Sequence, residues 1–283
     1  MKNTLRHTPF KHLLLPLFVA GLALQAGAAE PKKLLVVTVT KGFRHSSIPT
    51  AEKVLAKLGA DSKVFTVDFV RNDQEMAEKM TKENLKKYDG FIFANTTGNL
   101  PLPDKAAFLD EIKGGKAFIG MHSASDTFHG SGMLDPYIDM CGGEFAGHGA
   151  QVGVKCLVMD PKHPSTKHLG ASWMVNKEEV YLFKNHDCAK VRDLLSLGEH
   201  PNNKDQRGHF PVSWCRMYGQ GHVFYTSFGH REDVWDEDTP ANLHRENDTD
   251  TSIAYQKHIL GGIKWALGLE PGEATPLPAS AVD

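Results

Sequence analysis

Hydrophobic and polar positions change period several times along the chain, and each change marks an element. Leu34-Leu-Val-Val-Thr-Val-Thr40 is a continuous apolar, β-branched run, the pattern of a strand buried on both faces of a parallel sheet. Pro49 then suits an early helical position, and Ala51, Val54, Leu55 and Leu58 supply one apolar helical face. Lys63–Val70 reads as a second strand, Asp73–Met80 as a helix and Gly90–Ala94 as a third strand. Pro103–Lys113 reads as a helix with Phe108, Leu109 and Ile112 on its core side, and Lys116–Met121 as a fourth strand. Strands alternating with helices at this pace predict βαβ units and a doubly wound, mostly parallel α/β sheet.

The second half changes character. Gln151–Met159, Glu178–Phe183, Val212–Met217 and His222–Thr226 read as strands, and Gly219-Gln220-Gly221 as a hairpin turn, so antiparallel additions are expected in the C-terminal half. Thr251–Leu267 closes the pattern as an amphipathic helix with Ile253, Ile259, Leu260, Ile263 and Leu267 near one stripe. Pro271–Asp283, with Pro276 and Pro278, reads as a disordered tail.

Ahead of the first strand, Lys2, Arg6 and Lys11 precede an apolar run from Leu13 to Leu24 that ends in Ala26-Gly-Ala-Ala29. A basic start, an apolar stretch of about 12 residues and small residues at the end predict a secretory signal peptide over 1–29, cut near Ala28 or Ala29. The run is shorter than the roughly 20 residues that cross a bilayer. The expectation is therefore an exported domain over 30–270, periplasmic or secreted, with no membrane attachment after cleavage.

Composition narrows the choice further. With 41% hydrophobic and 23% charged residues in 283, the chain has material for one large core, which excludes disorder, a coiled coil or a collagen-like fold. A net charge of −2 leaves no electrostatic footprint for nucleic acid, and losing residues 1–29 makes it three units more negative. Cys141, Cys156, Cys188 and Cys215 form no C-x-x-C motif; three disulfide pairings are open, and so are buried free thiols. The 15 histidines are spread along the chain rather than collected in a tag, and that is what the composition leaves to explain.

In an open α/β sheet ligands bind beyond the carboxyl ends of the strands. His45, His122 and His230 each fall just after a predicted strand. Asp126 follows His122 by four positions, and His148 stands between Gly147 and Gly149 in a glycine loop. Glu178 and Glu179 lie on a predicted strand, where one should point in and the other out to solvent. The remaining histidines, His163, His168 and His200 among them, read as surface residues. G-x-S-x-G, G-x-x-x-x-G-K-[ST], H-E-x-x-H and a G-x-G-x-x-G after the first strand are all missing, which disfavours P-loop phosphoryl transfer and dinucleotide hydride transfer. Dispersed histidine with carboxylates suits general acid-base work or a His/carboxylate metal site.

Those segments resemble the ThuA-like (trehalose utilisation) family over about residues 33–269. The marks are Gly42-Phe-Arg-His45-Ser, Gly120-Met-His122-Ser-Ala-Ser-Asp126, Glu144-Phe-Ala-Gly147-His148, Glu178-Glu-Val-Tyr181-Leu-Phe183, Pro211-Val-Ser-Trp214 and Gly219-Gln-Gly221 running to Gly229-His230. The resemblance implies a flavodoxin-like sheet of the class I glutamine amidotransferase-like superfamily and a link to disaccharide or keto-sugar breakdown. That superfamily carries a nucleophilic cysteine at the turn where this chain has His122, so thiol chemistry is not expected.

Two functions follow as expectations. The first is an exported hydrolase, lyase or isomerase acting on a sugar or 3-keto-glycoside: His122 or His45 takes a proton, Asp126 or Glu179 orients that imidazole, and His148, His230, Tyr181 and Trp214 bind substrate. A divalent metal, with His45, His122, His148 and Glu179 as candidate ligands, is a possible cofactor. The second is a periplasmic carbohydrate-binding or accessory protein without chemistry, with Phe128, Trp214, Tyr225 and Trp235 stacking on sugar rings.

Overall fold

Strict alternation in the first strand, β1 (Lys32–Val37), sets the layering of the molecule. Leu34 and Val36 enter one core and Leu35 and Val37 the other, so the strand is buried on both faces. These coordinates belong to a computed structural model that describes residues 1, 2, 4, 30–130, 132–202, 207–238 and 243–278. Residues 3 and 5–29 of the expected signal segment 1–29 lie outside them. From Pro31 onward the chain forms one compact unit.

Helix α1 (Ile48–Ser62) follows β1, and Lys63, with φ +59°, turns the chain back into β2 (Phe65–Val70). Helices α2 (Asp73–Lys79) and α3 (Lys82–Leu85) precede β3 (Gly90–Ala94), and α4 (Lys105–Lys113) precedes β4 (Ala117–Met121). Asn72 and Asp104 cap α2 and α4, each side chain accepting from a backbone N–H of the first turn. After a 3₁₀ turn over His122–Asp126 come α5 (Pro136–Cys141), β5 (Glu144–His148), β6 (Val152–Val158), β7 (Ser172–Glu178) and β8 (Tyr181–Lys184). Strands β9 (Arg192–Glu199), β10 (Arg207–Tyr218) and β11 (Gly221–Thr226) follow, then α6 (Glu232–Trp235) and α7 (Thr249–Ala266).

Nine strands form one sheet in the order β2-β1-β3-β4-β11-β10-β9-β6-β7. The first five run parallel and the last four are added antiparallel, as the change of pattern along the sequence predicts. The chain passes from β1 to β2 on one side and then crosses back to β3 on the other, and this reversal of strand order marks a crevice at the carboxyl ends of β1 and β3.

Four sequence expectations need correction. Glu178–Phe183 is not one strand: β7 ends at Glu178 in the large sheet and β8 starts at Tyr181 in a separate ribbon with β5. The chain changes sheet between them, so Glu178 and Glu179 are both buried instead of pointing to opposite sides. The glycine loop around His148 is strand β5, paired with β8. His163 and His200, read as surface residues, are buried, as is His258. Residues 271–278 carry no helix or strand, with Trp265 Nε1 donating to Gly272 O (3.0 Å) and Arg192 Nη1 to Thr275 O (2.8 Å); residues 279–283 of the expected tail lie outside the described residues.

Strand β9, with five consecutive buried residues, was not expected at all. Cys141, Cys156, Cys188 and Cys215 are all free thiols, and all but Cys188 are buried.

Candidate functional site

The carboxyl end of β4 delivers His122 into the interior on a strained backbone. Its φ is +49°, a left-handed conformation that a non-glycine residue adopts only where its surroundings enforce it. The enforcement is visible: Tyr225 Oη donates to the His122 carbonyl (2.5 Å), and His122 Nδ1 lies 2.7 Å from Ser227 O. A carbonyl only accepts, so Nδ1 carries the proton and the neutral ring presents a bare Nε2. The Tyr181 hydroxyl (2.9 Å) and His45 Nε2 (3.1 Å) face that nitrogen.

His45 arrives on the loop after β1 and His230 on the loop after β11, and the three imidazole rings meet edge to face with centroids 4.6–5.3 Å apart. Glu179, at the sheet-changing break between β7 and β8, puts Oε2 3.6 Å from His122 Nε2 and 3.2 Å from His230 Nδ1. Its other oxygen, Oε1, lies 3.0 Å from His148 Nδ1.

The His230 loop is held from behind. Glu178 Oε1 accepts from the backbone N–H of Gly229 (2.8 Å) and of His230 (2.6 Å). Gly229 O in turn accepts from Asn95, Ser47 and Trp235. Gly229 itself sits at φ +127°, and a Cβ there would lie 3.0 Å from the Tyr255 hydroxyl, so the position calls for glycine.

Electrostatics divide these groups by role. Burial, reinforced by the neighbouring His230, lowers His45 to about 4, and burial with His45 and His230 holds His122 well below its ordinary value. Burial works against charge on Glu179 as well, yet pairing with His230, together with His148 and His45, outweighs it and keeps the carboxyl below the usual range. Burial likewise opposes protonation of His230, but Glu179 and Glu178 win and raise it. Burial raises Glu178 to about 7 and lifts the Tyr181 phenol well above its ordinary value.

A cavity of about 260 Å³ opens in front of this cluster, lined by His45, His148, Glu179, Tyr181, His230 and Asp126, with Phe43, Phe145, Thr97 and Ser123 completing the wall. His122 is fully buried behind His45 and Tyr181 and does not line it. Asp126 pairs with His129 Nε2 at 2.7 Å rather than with His122 or His45, and burial raises its carboxyl. A wider groove of about 690 Å³ between β6 and β9 offers only Lys155 and Glu199 as charged groups, so the chemistry gathers in the smaller space.

The structure thus brings together seven of the eight residues singled out from the sequence. Trp214 is the exception: it is buried in the core, stacked on Tyr225 with its Nε1 donating to Cys141 O (2.8 Å), so no sugar reaches it. Phe128, Tyr225 and Trp235 are core residues for the same reason. Phe43 and Phe145, the aromatics that do line the cavity, carried no distinguishing signal; Phe43 lies within the Gly42–His45 motif and Phe145 beside Glu144.

A divalent cation fits the cluster. One donor atom from each of His45, His122, Glu179 and His230 lies within 4.8 Å of every other. Metal bonds of about 2.0–2.1 Å place tetrahedral donors in that range, and neutral imidazoles with an ionised carboxylate are the donors such ions take. His230 stands where the sequence reading had His148, which faces the second oxygen of Glu179 instead.

An α/β sheet with a histidine-carboxylate cluster at its carboxyl edge, and no cysteine at the turn after β4, defines the class. The chain belongs to the trehalose utilisation (ThuA) family, whose model matches residues 33–266. It is similar to a ThuA-like protein from Parabacteroides merdae (TM-score 0.62, 20% identity, covering 84% of this chain and 90% of that one). A ThuA-like protein from Bacteroides uniformis gives a TM-score of 0.60 at 21% identity, over 86% of this chain and 94% of that one. A β-galactosidase from Rahnella sp. R3 shares the fold over 88% of this chain and 33% of its own length (TM-score 0.52, 13% identity). No curated protein matches.

Proposed function

We propose that this member of a carbohydrate-utilisation family is an exported enzyme that performs acid-base chemistry at the carbonyl of a 3-keto-glycoside or related sugar. The carrying observation is the pairing of the Glu179-centred histidine cluster with two further titratable groups, Asp126 and His148, on the walls of the same cavity. A divalent ion held by His45, His122, His230 and Glu179 would supply Lewis-acid polarisation of a sugar oxygen.

His148 is the group placed to take a proton. Its Nδ1 faces two acceptors, Glu179 Oε1 (3.0 Å) and Gly149 O (2.9 Å), so Nδ1 carries the hydrogen and Nε2 offers its lone pair. Glu179 therefore orients His148, a different imidazole from the two the sequence suggested. Asp126, raised by burial, is suited to hold a proton closer to neutral pH and return it to the departing or re-forming oxygen. In that sequence His148 Nε2 removes the proton alpha to the ketone and the C–H electrons form the enolate; the enolate pair then forms a carbon–carbon double bond as the bond to the β-oxygen breaks, and that oxygen takes the proton from Asp126, leaving an enone and an alcohol.

At about 260 Å³ the space falls below the 300–1,000 Å³ of sites for drug-sized ligands, so it suits one sugar ring with a second ring at the mouth. Export rests on the basic and apolar pattern of residues 1–29; no helix among the described residues is long and apolar enough to cross a membrane. The experiment is steady-state turnover of 3-keto-disaccharides by wild type, His148→Ala and Asp126→Asn. Loss of about 10²–10⁴-fold in kcat in both variants is expected. Saturable sugar binding with no product from the wild type would favour the non-catalytic carbohydrate-binding role.

A further inference from the structure

A second convergence of metal-ligating side chains lies away from the cavity, where the β8–β9 loop meets β9 and β10. Asp193, buried at the start of β9, is faced by His186 Nε2 at 3.1 Å from Oδ1 and by His209 Nε2 at 2.6 Å from Oδ2. Cys188 Sγ stands 4.0 Å from Oδ2, and the four donor atoms lie within 4.8 Å of one another.

The hydrogen bonds behind the two rings fix which nitrogens carry protons. His186 Nδ1 is 2.9 Å from Gly142 O, which can only accept, so this nitrogen is the donor. His209 Nδ1 is 3.2 Å from Ser196 Oγ, whose own hydrogen goes to Phe210 O (3.1 Å), so this nitrogen is also the donor. With Nδ1 donating on each ring, each Nε2 turned toward the buried Asp193 carboxylate carries either a second ring proton or a metal ion. A cation bound by both Nε2 atoms and the carboxylate would replace those two ring protons at once. Outer-shell acceptors that lock histidine tautomers in this way are the usual support of a metal centre.

We propose that His186, Cys188, Asp193 and His209 form a structural zinc site. Two imidazoles, a carboxylate and a thiolate complete four-coordination, which leaves no open position for substrate, and a soft sulfur donor with imidazoles suits Zn²⁺. Binding replaces the thiol proton of Cys188, which is released to solvent, and the 2.6 Å His209–Asp193 contact opens to admit metal bonds of about 2.0–2.3 Å. The ion would pin the β8–β9 loop to β9 and β10, behind the ring of Trp214, against which His186 packs edge-on at 4.6 Å.

Cobalt substitution of the chelator-treated full chain tests this, because the cavity cluster contains no cysteine. One equivalent of Co²⁺ is expected to produce a sulfur-to-cobalt charge-transfer band in the near ultraviolet. Cys188→Ser should abolish that band, and Glu179→Gln, which alters only the cavity cluster, should leave it intact. His209→Gln, which can still reach Asp193, should weaken cobalt binding at this site at least tenfold. A wild-type protein without the band at saturating Co²⁺, or with a band that survives Cys188→Ser, overturns the proposal and leaves Asp193 neutralised by protonated histidines.

Discussion

Glu179 is shared between two imidazoles through different oxygens: Oε2 lies 3.2 Å from His230 Nδ1 and Oε1 3.0 Å from His148 Nδ1. One buried carboxylate therefore closes the ring of inner histidines and also fixes the tautomer of the histidine exposed at the cavity wall. Replacing it should damage both functions at once. Glu179→Gln is expected to weaken divalent-ion binding at the cavity and to lower kcat, whereas His148→Ala lowers kcat alone. Metal titration by calorimetry beside turnover checks this; equal metal affinity in Glu179→Gln and wild type would separate Glu179 from the cluster.

Trp214 gives a contrasting expectation. It packs against Tyr225 with ring centroids 4.2 Å apart and donates to Cys141 O. Trp214→Phe should cost about 1–3 kcal/mol of stability through the lost hydrogen bond and packing while leaving sugar affinity unchanged. Urea denaturation and sugar binding, measured on the same preparation, are the check; a loss of affinity without loss of stability would contradict it.

Stability should fall in acid. Burial lowers His258 to about 3 and His163 to about 4, both well below the ordinary 6.5. The unfolded chain then binds protons between 6.5 and those values while the folded chain does not, so unfolding gains and stability drops as pH falls through that window. Each pKa unit corresponds to about 1.4 kcal/mol, so the effect is large enough to read in a denaturation midpoint. Glu178, raised to about 7, acts in the opposite sense: stability falls as pH rises from 4.5 to about 7. In metal-free protein the midpoint should decline steeply below pH 6.5, and Glu178→Gln should remove the smaller decline toward pH 7. A flat profile between pH 4 and 6.5 would count against neutral buried histidines.

Gly229→Ala should be disproportionately harmful for a one-carbon change. The backbone at φ +127° disfavours a side chain, and the new Cβ would meet the Tyr255 hydroxyl at 3.0 Å and the Trp235 ring at 3.1 Å. Strain of this kind costs about 1–3 kcal/mol, and it displaces the neighbouring His230. A lowered thermal midpoint with weakened metal binding is expected, against which an unperturbed variant would argue.

The parallel half of the fold was legible in the sequence because β1, β3 and β4 are buried on both faces and read as unbroken apolar runs such as Leu34–Val37 and Gly90–Ala94. The strand-end histidines were legible for the same reason, since the strand ends could be located. What escaped depended on long-range pairing. Glu178 and Glu179 look like alternating strand positions, and only the change of sheet between them buries both. Asp193 and His209 lie on neighbouring strands, and nothing local links them to His186 and Cys188. Trp214 lies within a family-like motif, and its motif position signals packing rather than contact with substrate.

On the proposed reading, His45, His122, His230 and Glu179 hold a divalent ion at the back of a sugar-sized cavity. Anomalous diffraction at the metal edge, from crystals grown with Zn²⁺ or Mn²⁺, locates such an ion. A peak is expected within about 2.0–2.3 Å of His45 Nε2, His122 Nε2, His230 Nδ1 and a Glu179 oxygen. Saturating metal with no peak among these atoms, in crystals that still bind sugar in the cavity, would contradict it.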